Sequence, residues 1–117
     1  MTAAKFRHLA LALPATEERS HMNHPDFRVG GKIFATLGYP SAGWAMVKLK
    51  PADQAHFYEM DPKAFIPAKG AWGRQGATNV VLKSAKESDV FRAIALAWRN
   101  VAPKHLAKEY ETTRDRK

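Results

Sequence analysis

The chain has 117 residues, 19 Lys/Arg against 11 Asp/Glu, and a formal charge of +8. That length allows one domain with a core of its own and no room for a second. A hydrophobic content of 45% and a charged content of 26% read as globular rather than disordered. Cysteine is absent, which excludes disulfides, thiolate metal sites and cysteine nucleophiles. The apolar run near the N-terminus, Leu9–Leu13, is far short of the roughly 20 residues of a membrane span, and too short for a signal-peptide core. The expectation is a soluble cytoplasmic protein with no membrane partner.

In chain order, Phe6, Leu9, Ala10 and Leu13 recur at helical spacing over residues 3–13, with Thr2 as N-cap and Pro14 as stop. Thr16–Met22 reads as a polar edge strand, and Asn23-His24-Pro25-Asp26 as a turn. Phe27–Val29 and Lys32–Leu37 flank Gly30-Gly31. Two β-type runs around such a pair predict a hairpin, because both turn positions need positive φ. Alternation puts Ile33, Ala35 and Leu37 on one face of the second strand and Lys32, Phe34 and Thr36 on the other. Trp44–Leu49 is the next strand, with Ala45, Val47 and Leu49 inward and Trp44, Met46 and Lys48 outward. Pro51 opens a short helix to about Met60. Residues 63–76 read as an ordered, irregular loop anchored by Trp72, and Thr78–Lys83 as the last strand. Ser84-Ala85-Lys86-Glu87 has the pattern of a capping box. The helix after it carries Val90, Phe91, Ile94, Ala95, Trp98 and Val101 on one stripe, with Trp98 and Phe91 assigned to the core. Pro103 starts a final helix to about Tyr110, followed by a frayed polar tail, 112–117.

This order predicts a two-layer α+β domain spanning 1–117. An antiparallel sheet of about five strands is packed on one face by the N- and C-terminal helices, and its other face is partly open.

Charge is lopsided. Residues 1–62 carry a net +1 and residues 63–117 a net +7; from Pro62 to Lys86 there are five cations and no acid. A basic half attracts polyanions: nucleic acid, an acidic protein or an anionic surface. Two tips concentrate it. Arg28 and Lys32 flank the Gly-Gly hairpin, and Lys69, Arg74 and Gln75 surround the glycine-rich stretch Gly70–Gly76. That stretch lacks the Lys-Ser/Thr ending of a phosphate loop, so its reading is a basic wing able to reach phosphates or base edges. Trp44 and Trp72 are candidate stacking residues. His21, His24 and Asp26 are metal-type ligands close in sequence, but on a strand and turn they lack the spacing of an established metal motif. Glu17 and Glu18, adjacent on a strand, point to opposite faces and cannot cooperate. No paired acid/base set emerges and no cofactor is implied.

The stretch His24-Pro25-Asp26-Phe27-Arg28-Val29-Gly30-Gly31-Lys32-Ile33-Phe34-Ala35 resembles the central signature of the MmcQ/YjbR-type proteins. Phe6-Arg7-x-Leu9-Ala10-Leu11-x-Leu13-Pro14, Pro67-x-x-Gly70-x-Trp72-Gly73 and Ala97-Trp98-Arg99-x-Val101-Ala102-Pro103-Lys104 are similar too, so the likeness runs over nearly the whole chain. It implies a compact α+β fold of the CyaY-like or secretion-chaperone-like type and a non-enzymatic DNA-binding role with a double-wing mode. Ala77 departs from the pattern, since members often carry an aromatic residue there. The expected function is DNA binding of weak sequence selectivity through Arg28, Lys32, Lys69, Arg74 and Gln75. The rivals are a protein-interaction adaptor using the open sheet face around Trp44 and Met46, and a small-ligand or metal protein using His21, His24 and Asp26.

Overall fold

The computed structural model describes residues 1–115, with side chains for residues 1–110. Helix α1 spans Ala3–Leu11. The Thr2 hydroxyl caps it by accepting from the Lys5 N–H at 3.1 Å, and Phe6 and Ala10 face inward. Strands β1 (Glu17–His21) and β2 (His24–Val29) form the first hairpin. Its turn is Met22-Asn23, with φ of 52° and 68°, so the turn expected at Asn23–Asp26 lies two residues too late. A two-residue hairpin turn needs two left-handed residues to match the twist of its strands, and His24-Pro25-Asp26 then join β2.

Gly30 and Gly31, with φ of 59° and 78°, make the expected turn into β3 (Lys32–Leu37). The pairing Phe27↔Ala35 and Arg28↔Ile33 leaves Phe34 as an extra residue, a bulge. The bulge reverses the expected alternation. Phe34 is fully buried with Ala35 and Leu37, while Ile33 is half-exposed on the other face. Strand β4 (Trp44–Lys48) points Ala45 and Val47 inward, and Leu49 follows them, as expected.

Helix α2 (Pro51–Met60) starts on proline. The stretch expected to be irregular contains a strand, β5 (Phe65–Pro67), and one helical turn, α3 (Gly70–Arg74). Strand β6 (Ala77–Val81) follows. Helix α4 (Glu87–Val101) has Lys86 as N-cap without a side-chain cap, so the expected capping box does not form. The Ser84 N–H instead donates to the Val81 carbonyl in a turn, and Glu87 and Asp89 offset the positive helix end. Helix α5 (Lys104–Asp115) runs past Tyr110 into the stretch expected to fray; residues 116 and 117 lie outside the described residues.

The sheet has six strands, one more than expected, in the order β1-β2-β3-β4-β6-β5, with every neighbouring pair antiparallel. Helices α1, α2 and α4 pack on one face of it. Val90, Ile94 and Trp98 of α4 meet Phe6, Phe57 and the inward strand residues in one core. Phe91, expected in that core, is 37% exposed; Ala93 and Ala97 fill the helix–sheet gap instead. The Trp98 indole donates to the Pro14 carbonyl at 3.0 Å and its ring packs against Tyr110, which ties α5 to the core. Alternate residues on the opposite face, including Asp26, Arg28, Thr36, Met46 and Asn79, contribute nothing to that core. Among the described residues no helix is long and apolar enough to cross a membrane.

Candidate nucleic-acid interface

Antiparallel pairing decides which turns share an end of the sheet. The pairs Val29↔Lys32, Ala35↔Val47, Lys48↔Ala77 and Thr78↔Pro67 put four features at one end. These are the Gly30-Gly31 tip, the exit of β4, the exit of β5 and the entry of β6. Lys32 therefore lies at the same end as Lys69, Arg74 and Gln75, which belong to the β5–β6 connection. All four are exposed. From β3 to β6 is two strand spacings, about 10 Å at roughly 4.8 Å each. That is close to the roughly 12 Å width of the DNA major groove.

Two cations that sequence reasoning missed belong here as well: Lys48 and Lys50, at the exit of β4. The pair Lys48-Leu49-Lys50 is visible in the sequence, but only the sheet register sets it between the two tips. Lys32, Lys48, Lys50, Lys69 and Arg74 make no ion pair among the described residues. The same register splits the acid-free run from Pro62 to Lys86. Lys63, Lys83 and Lys86 flank the Ala64–Val81 pairing at the far end.

Arg28 behaves differently from the expectation of a free tip cation. Its Nε donates to Asp26 Oδ1 at 2.8 Å and its Nη2 to Asp26 Oδ2 at 3.1 Å. Asp26 is 1% exposed. The hydrogen bond to Asp26 holds the Arg28 guanidinium above the ordinary arginine range; partial burial opposes this, and the charges of Asp26 and Glu17 add to it. The two-point pair turns the arginine fork back onto its own strand, so Arg28 is not a free cation at the tip.

The second wing is a helical turn whose anchor is not Trp72. Trp72 is 59% exposed. The anchor is Gln54 of α2, whose side-chain amide donates to the carbonyls of Gly73 at 2.8 Å and Ala77 at 2.9 Å. A side chain at Gly73 would run into the Ala68 carbonyl, and one at Gly76, where φ is 113°, into that of Leu49. These glycines let α3 lie directly on the ends of β4 and β5. Ala77, where the resemblance places an aromatic residue, is 4% exposed and paired with Lys48 in the sheet, so the position packs and does not face solvent.

Trp44 pairs with Val81 at the far end, so the structure does not bring the two stacking candidates together. Trp44 is half-buried and lines a shallow cavity of about 320 Å³ with Val81, Leu82 and Lys83. Met46 is 4% exposed and offers a partner little surface. His21 and His24 are cross-strand partners, but the His24 ring packs edge-on against Tyr39, and both Asp26 oxygens are taken by Arg28. Among the described residues no three metal-type ligands converge. Glu17 and Glu18 do point to opposite faces: Glu18 reaches Arg7 of α1 at 2.9 Å and Glu17 approaches Arg19 at 3.7 Å.

Residues 11–100 match the family model described as YjbR. No curated protein matches the chain.

Proposed function

The chain belongs to the YjbR family, and from that premise we propose that it is a DNA-binding protein that acts by docking rather than catalysis. Lys32 on one tip and Lys69, Arg74 and Gln75 on the other contact the phosphate backbone, with Lys48 and Lys50 between them. Arg28 serves by holding the hairpin, not by touching DNA. The observation that supports this reading most is the shared sheet end, which gathers five exposed or half-exposed cations, none in an ion pair among the described residues, over three strand spacings, about 14 Å. Contacts of this kind position a protein on DNA and carry little sequence information. Binding is therefore expected to be weakly selective and strongly salt-dependent.

The test is a DNA titration at several salt concentrations. Each phosphate neutralised adds about 0.9 to the log–log slope, so K69A/R74A is expected to flatten it by roughly 2. Thermal stability should not change, because both side chains are exposed. The control K63A/K83A, at the far end of the sheet, should leave affinity alone. Equal loss in both double variants would mean diffuse charge and no defined interface. Capture of an acidic protein by the same cations, with no DNA shift, would reassign them to a protein partner.

A further inference from the structure

Trp72 has no part in the core. It is the most exposed of the three tryptophans, whereas Trp98 is fully buried and Trp44 half-buried. Large rings are ordinarily buried for most of their area, so an indole left 59% in water is available for another task. The turn that carries it is held in place. The Gln54 amide clamps the carbonyls on either side of the α3 exit, Gly73 and Gly76 rest against neighbouring backbone, and the Gln75 N–H donates back to Ala71 and Trp72. A platform fixed before binding loses little conformational freedom on binding. Lys69 and Arg74 flank it at three residues before and two after, with no acid from 62 to 86.

An exposed ring on a turn that also carries unpaired cations suits a ligand that presents both a flat π-face and a negative backbone. A duplex presents phosphates and groove edges, but its base faces are covered by their neighbours. An unpaired strand presents both at once, and stacking on an aromatic ring tolerates any base. We infer that α3 is a stacking platform, with Trp72 receiving an unpaired base while Lys69 and Arg74 take the flanking phosphates, so that the cationic end prefers single-stranded nucleic acid to duplex. The inference rests on the nucleic-acid reading of that end and adds to it the class of strand bound.

The probes are an oligo(dT) strand roughly 12 nucleotides long and a hairpin duplex of similar charge, both titrated at one salt concentration. The parent protein is expected to bind the single strand about tenfold more tightly or better. W72A should lose roughly ten- to hundredfold on the single strand, and should stay within about threefold of the parent on the duplex, where phosphate contacts remain. W72F should recover most of the single-strand affinity. Oligo(dT) should quench tryptophan emission in the parent and not in W72F. An unchanged melting temperature for W72A would separate this loss from unfolding. Duplex bound as tightly as single strand, with W72A unaffected on both, would overturn the stacking platform and leave the duplex-docking proposal standing. Neither probe bound at low salt would overturn both.

Discussion

Asp26 and Arg28 sit two residues apart on β2, and their side chains meet in a two-point hydrogen-bonded pair of 2.8 and 3.1 Å. The carboxylate is almost wholly buried, so the arginine fork is what neutralises it. The pair lies on the strand that leads into the hairpin presenting Lys32.

Removing the fork leaves that buried carboxylate without its partner. R28A is expected to lower the melting temperature by several degrees. R28K should recover only part, since a lysine cannot satisfy both oxygens in one plane. DNA affinity of the folded fraction should fall less than in K69A/R74A. A stable R28A with abolished binding would return Arg28 to the interface. The sign of the pH dependence follows from its raised pKa. The contribution is complete below the ordinary arginine range and is lost only as pH climbs through the folded-state value. The arginine therefore adds no step to a stability profile across neutral pH.

Gln54 should control the second wing from a distance. Q54A leaves the carbonyls of Gly73 and Ala77 without their side-chain donor, at a cost of about 1–2 kcal/mol. Hydrogen exchange should accelerate over 70–76 and stay slow in β3 and β4. Unchanged exchange in that stretch would show that glycine packing alone holds α3.

The bulge in β3 makes a prediction opposite to plain alternation. F34A should cost about 3–5 kcal/mol, as expected for a buried aromatic ring. I33A, at a half-exposed position, should cost about 1 kcal/mol. Urea unfolding of both variants measures the ranking, and a reversal would mean that Phe34 faces out.

Local signals were legible wherever one element carried its own pattern. The Gly30-Gly31 pair marks a hairpin because few other residues accept two positive φ values. The spacing of Val90, Ile94 and Trp98 marks α4 because only a helix puts them on one side. The signals failed where a neighbour decided the outcome. Phe65-Ile66-Pro67 is too short to show a period and becomes a strand only because β6 offers it partners. Met22-Asn23 takes the turn that a Pro-containing cluster advertises, because register and twist select it. Ser84 has the chemistry of a cap, yet its backbone is committed to a turn with Val81.

For the cationic site, residue types and their uneven distribution follow from the chain alone, as do the two glycine-rich tips. Their meeting does not. Lys32 and Arg74 are 42 positions apart in the chain, and their common end exists only because the intervening strands alternate in direction and pair in one register. The same geometry sends Lys63 and Lys83, closer in sequence to Arg74 than Lys32 is, to the far end. Charge is a property of side chains and is written in the sequence. Convergence is a property of hydrogen-bonded strands, and only the folded sheet decides it.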